Sequence, residues 1–133
     1  MAGLRDRAEK LTEVVLDHAM FLHREIGPGI SESVYELILF DRLVDAGLRV
    51  DRQKPVNIIF QNKEYRDAFR YDLLVENTLL VELKSIELLG PVHIKQTLTY
   101  IRLMNLPVGL LLNFGSATLK QGIRKVYNNH YTD

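Results

Sequence analysis

Three charged side chains interrupt two otherwise apolar segments near the middle of the chain. Asp72 lies within segment 71–75, whereas Glu82 and Lys84 lie in and just after segment 79–83. Because a strand alternates its faces and rises about 3.3 Å per residue, Glu82 and Lys84 point the same way, about 6.6 Å apart. Charges in such apolar strands are costly unless they are paired or bind a metal. Two carboxylates beside a lysine therefore predict a site for a hard divalent cation and the water that it activates.

The turn between these two segments decides whether the two acids meet. A tight turn is expected near 76–77, where polar residues separate the apolar runs. Asp72 lies opposite Glu82 when the turn has an odd number of residues, as 76–78 would have. A two-residue turn would instead place Asp72 opposite Val81, on the wrong face, unless a bulge intervenes. The metal-site hypothesis thus requires the odd-length turn.

The composition is that of an ordinary globular protein. Hydrophobic residues make up 47% of the 133 positions, which suffices for one compact domain over 1–133 with a sizeable core. The absence of cysteine excludes disulfides and thiolate metal sites. Basic and acidic residues number 17 each, and this balance argues against a protein that coats nucleic acid non-specifically. A nuclease stays compatible, since its acidic metal site offsets a local basic groove.

The start of the chain is rich in charge and has no apolar core of the kind that a secretory signal carries. No later segment approaches the roughly 20 apolar residues of a membrane span. We therefore expect a cytoplasmic protein without a membrane partner.

Hydrophobic spacing predicts two helices in the first third of the chain. The first covers about 4–25 and ends at the Gly27-Pro28-Gly29 break, and the second covers about 31–46. Apolar residues surround most of the second helix, which predicts that it is largely buried. Glu32 and Glu36 lie one turn apart near its start. They either interact with the positive end of the helix dipole or face the acid pair. Spacing alone favours the first interpretation.

From position 48 the hydrophobic period changes to two, which indicates strands. The elements expected around the central hairpin are an edge strand near Val50, a strand over 56–60, a long partner strand over 64–75 that twists or bulges, a helix over 92–105 and a last short strand over 123–127. Segment 107–114 is almost entirely apolar, which is typical of a strand buried on both faces of a sheet. This order predicts an α/β or α+β fold with a mixed β-sheet flanked by helices.

His93, Gln96 and Tyr100 form a polar stripe along the predicted third helix, at three- and four-residue steps. Such residues at a junction between helix and sheet can hydrogen-bond phosphates or a metal-bound water. A partly exposed polar face explains the same spacing equally well, so the residues alone leave both interpretations open.

The order of these chemical groups resembles the PD-(D/E)XK nuclease superfamily. Asp72 followed by Glu82-x-Lys84 on the next strand matches its pattern of an acid and then acid-x-lysine, although Tyr71 stands where the superfamily name has proline. The stretch from Gln96 to Tyr100 is similar to the Gln-x-x-x-Tyr motif of its RecB-like branch.

A narrower resemblance comes from segment 29–35, Gly-Ile-Ser-Glu-Ser-Val-Tyr, which is similar to the signature of the GxxExxY proteins, a branch of the same superfamily. The segment Asn113-Phe114-Gly115 fits as well. The resemblance covers about 10–127, and its separate motifs agree in order.

The resemblance implies a restriction-endonuclease-like core that hydrolyses phosphodiester bonds of nucleic acid, with DNA expected over RNA. Mg²⁺ or Mn²⁺ is the implied cofactor, and the residues assigned to it are Asp72, Glu82, the Leu83 backbone carbonyl and Glu32. Lys84 would orient the attacking water and offset charge in the transition state. The residues implied to brace Lys84 or to contact the phosphate are Gln96, Tyr100, His93 and Arg70. A homodimer is compatible with this class, since many small nucleases pair to cut two strands.

Two other interpretations stay open. A nuclease-like fold without catalysis would serve as a binding module for nucleic acid or protein; neutral charge and small size favour it, whereas the intact acids and lysine speak against it. In the other, Glu82–Lys84 and Asp72–Arg70 are solvated surface pairs of little energetic weight. Burial of Asp72 and Glu82 at the sheet would reject the surface-pair interpretation.

Overall fold

The computed structural model describes residues 3–132. Its helices are α1 (Leu4–Ile26), α2 (Glu32–Asp45) and α3 (Pro91–Leu103), and a short 3₁₀ turn covers Leu119–Gly122. Its strands are β1 (Val50–Arg52), β2 (Pro55–Phe60), β3 (Lys63–Arg70), β4 (Leu73–Val75), β5 (Leu79–Lys84), β6 (Val108–Asn113) and β7 (Ile123–Tyr127). No helix in this part of the chain is both long and apolar enough to cross a membrane.

Five strands form a mixed sheet in the order β1-β4-β5-β6-β7, and β2 pairs with β3 in a separate two-stranded unit, the β2–β3 ribbon. Strands β5 and β6 run parallel and are joined by the crossover helix α3, whereas the other neighbours in the sheet are antiparallel. All six residues of β6 are buried, as its apolar sequence predicts. The mixed sheet flanked by helices confirms the predicted fold class.

The two faces of the sheet belong to different hydrophobic cores. The odd-numbered residues of β5 pack with α1 and α2 in the larger core, whereas Leu80 packs with Ile101 of α3. Because side chains alternate along a strand, Glu82 and Lys84 share the α3 face with Leu80. The end of β5 thus carries its charged residues on the face opposite the larger core.

The hairpin between β4 and β5 has the odd-length turn that the metal-site hypothesis requires. Residues 76–78 form this turn, and Leu73 pairs with Val81 across it. The same register, continued by one position, places Asp72 opposite Glu82 on one face of the sheet. The geometric condition set by the sequence is therefore met.

The prediction of one long strand over 64–75 is wrong, because the chain changes its strand-pairing partner at Tyr71 and Asp72. Strand β3 ends before these residues and pairs with β2, whereas β4 begins after them and lies between β1 and β5. The Asp72 backbone is held by other groups: its carbonyl accepts from the Gln53 N–H at 3.0 Å, and its N–H donates to Glu82 at 2.7 Å. Alternating residues on both sides of the break give one continuous period in the sequence, so periodicity does not reveal it.

The prediction that α2 is largely buried is also wrong. Its buried residues are Tyr35, Glu36, Leu39 and Leu43. On the opposite side, Val34, Leu37 and Val44 are 41–45% exposed. Helix α2 therefore presents one buried stripe, and its apolar outer residues face solvent.

The segment after Lys84 is fixed by the end of β6. The Asn113 side chain accepts from the Ile86 N–H at 3.0 Å and donates to the Ile86 carbonyl at 2.9 Å, so one amide satisfies both backbone groups. The Phe114 N–H donates to the Lys84 carbonyl at 2.8 Å. These bonds hold the backbone on which Lys84 stands.

Gly115→Ala is expected to destabilise this arrangement. A Cβ atom at position 115 would lie 2.1 Å from the Ile86 carbonyl oxygen and 2.6 Å from its nitrogen, and backbone atoms cannot move away as a flexible side chain can. We expect a loss of about 2 kcal/mol in the free energy of unfolding, the usual cost of overpacking, measured by urea denaturation. Gly90→Ala is the matched control, because a Cβ atom there would lie 3.8 Å from its nearest neighbour, His93 Nδ1. Equal stabilities of the two variants would refute the close approach.

Candidate active site

Asp72 and Glu82 form the centre of the candidate site, and the side chain of each accepts a hydrogen bond from the backbone at or next to the other. The Asp72 N–H donates to Glu82 Oε2 at 2.7 Å, and the Leu83 N–H donates to Asp72 Oδ2 at 2.8 Å. Glu82 is buried and Asp72 is half-buried. Both acids therefore belong to the sheet, which argues against solvated surface pairs.

Burial, and after it the negative charge of Asp72, raises the pKa of Glu82 to about 9. The Asp72 N–H and the charge of Lys84 act in the opposite direction but are outweighed. Two carboxylates held together in a poorly solvated place repel each other unless a cation or a proton compensates. The protein alone thus leaves the pair short of positive charge.

A neighbouring acid, Glu36, is tied to the pair through Gln53. The Gln53 side-chain amide donates to Glu36 Oε1 at 2.6 Å and to Asp72 Oδ1 at 3.0 Å. Arg52 completes the contact with an ion pair to Glu36 Oε2 at 2.8 Å. Burial raises the pKa of Glu36, the Gln53 hydrogen bond lowers it, and the charge of Asp72 raises it again. Gln53 therefore separates two acids and fixes one oxygen of Asp72.

The sequence prediction missed Gln53 and Arg52 because nothing in their spacing marks them. Gln53 has a left-handed backbone with φ 53°, which is uncommon outside glycine. Strained residues of this kind often occur at functional sites. The backbone conformation marks Gln53, and the amino-acid sequence does not show that conformation.

Glu32 and Lys84 lie beside the acid pair, with Glu32 at the start of α2 and Lys84 at the end of β5. Burial raises the pKa of Glu32, the positive charge of Lys84 lowers it, and the charge of Asp72 raises it. Lys84 also lowers the pKa of Glu82. The acid that spacing alone assigned to the helix dipole thus shares an electrostatic environment with the site.

Segment 29–35 supports Glu32 through Tyr35. The Tyr35 ring is fully buried and stacks on Phe114 with ring centroids 4.6 Å apart. Its hydroxyl donates to the Gly27 carbonyl, which closes the loop between α1 and α2. Gly29 takes φ 112°, a backbone conformation that L side chains rarely adopt. The three residues of this motif therefore have distinct roles. Gly29 allows the turn, Glu32 is the acid at the site, and Tyr35 anchors the segment in the core.

The polar stripe of α3 is divided by the structure. Tyr100 stacks on Phe69 with centroids 3.9 Å apart, and its pKa is raised by burial and then by the charges of Glu82 and Asp72, which places it near the acid pair. Gln96 is exposed, and no hydrogen bond joins it to Lys84 within residues 3–132. The role of Gln96 as a brace for Lys84 or for the phosphate stays a prediction.

Two further predicted phosphate contacts have other partners here. His93 Nδ1 accepts from the Gly90 N–H at 2.9 Å and so caps its own helix, while its charge lowers the pKa of Glu32. Arg70 donates to the Gln53 carbonyl at 3.2 Å and is exposed. Both residues border the site without contacting the acid pair directly.

The donor atoms suit a hard divalent cation, although they do not enclose one. Within residues 3–132 no three histidine, aspartate or glutamate side chains come close enough to form a metal centre on their own. Mg²⁺ is commonly bound through one or two carboxylates, with waters and substrate phosphates completing its shell. Each Asp72 oxygen accepts one hydrogen bond and retains a lone pair, so the pair fits this open kind of site.

Gln53→Met tests whether the amide positions Asp72. Methionine has a similar length but donates no hydrogen bond, so one Asp72 oxygen and one Glu36 oxygen lose a shared donor. For a nucleolytic site we expect kcat to fall about tenfold with little change in KM, since displacements below 1 Å reduce rates strongly. Gln61→Met is the matched control, because Gln61 also has a left-handed backbone and is exposed on the ribbon turn. An unchanged kcat in Gln53→Met would show that this amide does not position the acid.

The mixed sheet, with Asp72 just before β4 and with Glu82 and Lys84 on the neighbouring β5, is the arrangement of a nuclease-like fold. The family model of the PD-(D/E)XK nuclease superfamily matches residues 9–126. The chain therefore belongs to the PD-(D/E)XK nuclease superfamily.

A solved structure described as the crystal structure of SSO0001 is similar in fold, with a TM-score of 0.52 and 17% sequence identity. The similarity covers 97% of this chain and 63% of that one, so this chain spans less than two thirds of the length of that protein. At such identity the likeness concerns the fold alone. No curated protein is similar enough in sequence to count as a relative.

Proposed function

We propose that this protein is a metal-dependent nuclease that hydrolyses phosphodiester bonds of nucleic acid, with DNA expected over RNA. The observation that carries the proposal is the contact between Asp72 and Glu82, two carboxylates in a poorly solvated place beside Lys84. We further propose that it is a member of the GxxExxY branch, as segment 29–35 suggests, and that 1–133 forms one nuclease-like domain. A cytoplasmic location and a homodimer stay predictions from the sequence.

Asp72 and Glu82 would hold Mg²⁺ or Mn²⁺, with the Leu83 carbonyl and Glu32 as further ligands directly or through water. The bound cation supplies a water of lowered pKa and offsets phosphate charge. The protein's own part is positional: the Leu83 N–H and the Gln53 amide fix the two Asp72 oxygens. A carboxylate held by two donors on separate elements keeps its orientation when substrate binds.

Lys84 would offset the negative charge that develops during the reaction. Its ammonium group would orient the attacking water and stabilise the phosphorane-like transition state, where negative charge gathers on the phosphate oxygens. Its backbone is fixed by the Phe114 N–H, so the side chain starts from a defined position. Tyr100 and His93 would contact the phosphate from α3, and Arg70 would contact it from the ribbon.

A nuclease-like fold that binds without cutting is the second candidate. Its size and charge favour it: the chain has 133 residues, and its 17 basic residues are balanced by 17 acidic ones.

Cleavage assays separate the two candidates. Purified protein is incubated with single-stranded, duplex and branched DNA and with RNA, in Mn²⁺, in Mg²⁺ and in EDTA. Metal-dependent cleavage that co-purifies with the monodisperse protein and disappears in EDTA supports the nuclease. Binding without cleavage under every metal condition contradicts it and supports the binding module.

A further inference from the structure

A cavity of about 350 Å³ lies between the end of α1 and the 3₁₀ turn. One wall comes from the last turns of α1 and its C-cap, and its residues are Met20, His23, Arg24 and Gly27. These positions share one face of the helix, because they follow the i, i+3, i+4, i+7 spacing. Segment 117–120 forms the other wall. The cavity is thus built from residues outside the candidate active site, and its volume falls in the usual range of about 300 to 1,000 Å³ for small-ligand sites.

The buried part of the cavity lining is largely apolar and is fixed by the fold. Leu119 is 3% exposed, and Met20 is half-buried and packs against the larger core. The His23 Nε2–H donates to the Phe114 carbonyl at 3.0 Å, which holds the imidazole ring in place. The 3₁₀ turn lies directly on the end of β6, because a Cβ atom on Gly122 would be 2.5 Å from a backbone carbonyl oxygen there. Both walls are therefore formed before any ligand binds.

The exposed part of the lining carries two positive charges. The side chains of Arg24 and Lys120 are exposed, and within residues 3–132 neither has an ion pair or a hydrogen bond. Of the described residues that line the cavity, none is acidic. The negative end of the α1 dipole opposes an anion, but it amounts to only about half a charge. Two carbonyls at this end also have donors, because His23 accepts from the Gly27 N–H at 2.7 Å and Gly27 accepts from the Tyr35 hydroxyl.

The lining and the volume together select the class of ligand. An apolar surface gains free energy by burying hydrocarbon and offers nothing to a small hydrated ion such as inorganic phosphate. Two unpaired cations at the opening favour a negatively charged ligand over a neutral or a cationic one. Since an apolar cavity of about 150 Å³ holds one benzene, a volume of about 350 Å³ suits an apolar body of about two rings.

We propose that this cavity binds a small organic anion with an apolar body of about two rings and one carboxylate, sulfonate or phosphate group. The apolar body would lie against Met20 and Leu119, and the anionic group would contact Arg24 and Lys120. The site goes beyond the proposed function, because its occupation requires no metal, no nucleic acid and no residue of the candidate active site.

The probe is naphthalenesulfonate, titrated in EDTA into the isotope-labelled full chain and followed by amide NMR. We expect shifts of the amides in segments 20–27 and 117–122, with a Kd of about 1 mM or tighter, as for a ligand of this size. The neutral naphthalenesulfonamide should bind about fivefold more weakly, the effect of losing one exposed ion pair. Benzenesulfonate should bind about tenfold more weakly, because one ring fewer is buried. Inorganic phosphate should not displace the probe.

Arg24→Ala and Lys120→Ala should each raise the Kd of naphthalenesulfonate about fivefold, and the double variant should raise it about 25-fold if the two cations act independently. Both side chains are exposed, so the variants should fold, and circular dichroism checks this. Lys63→Ala is the matched control, because it removes an exposed lysine beside another apolar surface, the Tyr65 ring 5.3 Å away. This variant should bind the probe like the unaltered protein.

Four results would each overturn the inference. The first is the absence of amide shifts at about ten times the expected Kd, and the second is a set of shifts that lies outside the two walls of the cavity. The third is equal affinity for naphthalenesulfonate and for the sulfonamide, benzenesulfonate or phosphate, since charge or ring size would then not select the ligand. The fourth is an unchanged Kd in the double variant. Cleavage assays do not enter this test, so its outcome is independent of the proposed nuclease activity.

Discussion

Lys84→Ala is expected to lower kcat/KM for metal-dependent cleavage by about 10²- to 10⁴-fold, the range for removing one charge or proton donor from a transition state. Lys84 is the cation whose charge reaches both Glu32 and Glu82. Removing it leaves the acid pair in place and takes away the group that offsets the phosphorane charge. The change should fall on kcat, because the interaction is made chiefly in the transition state.

The matched control is Lys10→Ala, which removes an exposed lysine of α1. Both variants lower the net charge by one, so a general electrostatic effect on nucleic-acid binding would weaken both alike. Cleavage by Lys84→Ala at the rate of the unaltered protein would point to a contaminating nuclease and would remove the basis for assigning the activity. Circular dichroism establishes that both variants are folded before rates are compared.

The acid pair could be predicted from the sequence because strand geometry leaves few choices. Once Asp72 and Glu82 are assigned to neighbouring strands, an odd-length turn suffices to bring them to one face, and the register of β4 and β5 has it. The buried strand β6 was predictable for a similar reason, since a run of apolar residues without alternation needs cover on both faces. Strand alternation, turn length and apolar runs determine these features, and all three can be read from a sequence.

The contacts that surround the pair depend on distant residues and could not be predicted in the same way. Gln53 donates to Glu36 and Asp72, which are 17 and 19 positions away in the sequence. It does so from a left-handed backbone conformation, which a glutamine in the sequence does not predict. The change of partner between β3 and β4 has the same origin, because Asp72 gives its N–H to Glu82. Tertiary hydrogen bonds replace the strand ladder there, and periodicity carries no information about them.

Two residues of one sequence motif have different surroundings on α3. The Gln-x-x-x-Tyr spacing predicts two side chains on one face, and the charges of Glu82 and Asp72 act on Tyr100. Gln96, one turn earlier, is exposed to solvent. Helical spacing predicts which residues share a face of the helix, but it does not predict which of them the rest of the protein buries.

Glu82→Gln is expected to raise the stability of the metal-free protein while abolishing its cleavage activity. The pKa of Glu82 is raised from 4.5 to about 9 by burial and by Asp72, so the folded state binds its proton more tightly than the unfolded state does. Stability contributed by this group is therefore present below the unfolded pKa and declines as pH rises from about 4.5 to about 9. Glutamine has no such titration, and its amide oxygen can still accept the hydrogen bond from the Asp72 N–H.

Urea denaturation in EDTA, at intervals between about pH 5 and about pH 9, measures this effect through the difference between the two proteins. At the alkaline end we expect the unaltered protein to be less stable than Glu82→Gln by at least about 1 kcal/mol, the equivalent of one pKa unit. Mn²⁺ should stabilise the unaltered protein and have little effect on the variant, because ligand that binds the folded state alone adds to its stability. Glu87→Gln, which changes an exposed acid after β5, controls for the loss of one negative charge. The alternative outcome is a difference in the free energy of unfolding between the unaltered protein and Glu82→Gln that stays constant over the whole pH range. The folded state would then not disfavour the charged form of Glu82, and the reason for expecting a cation between Asp72 and Glu82 would be lost.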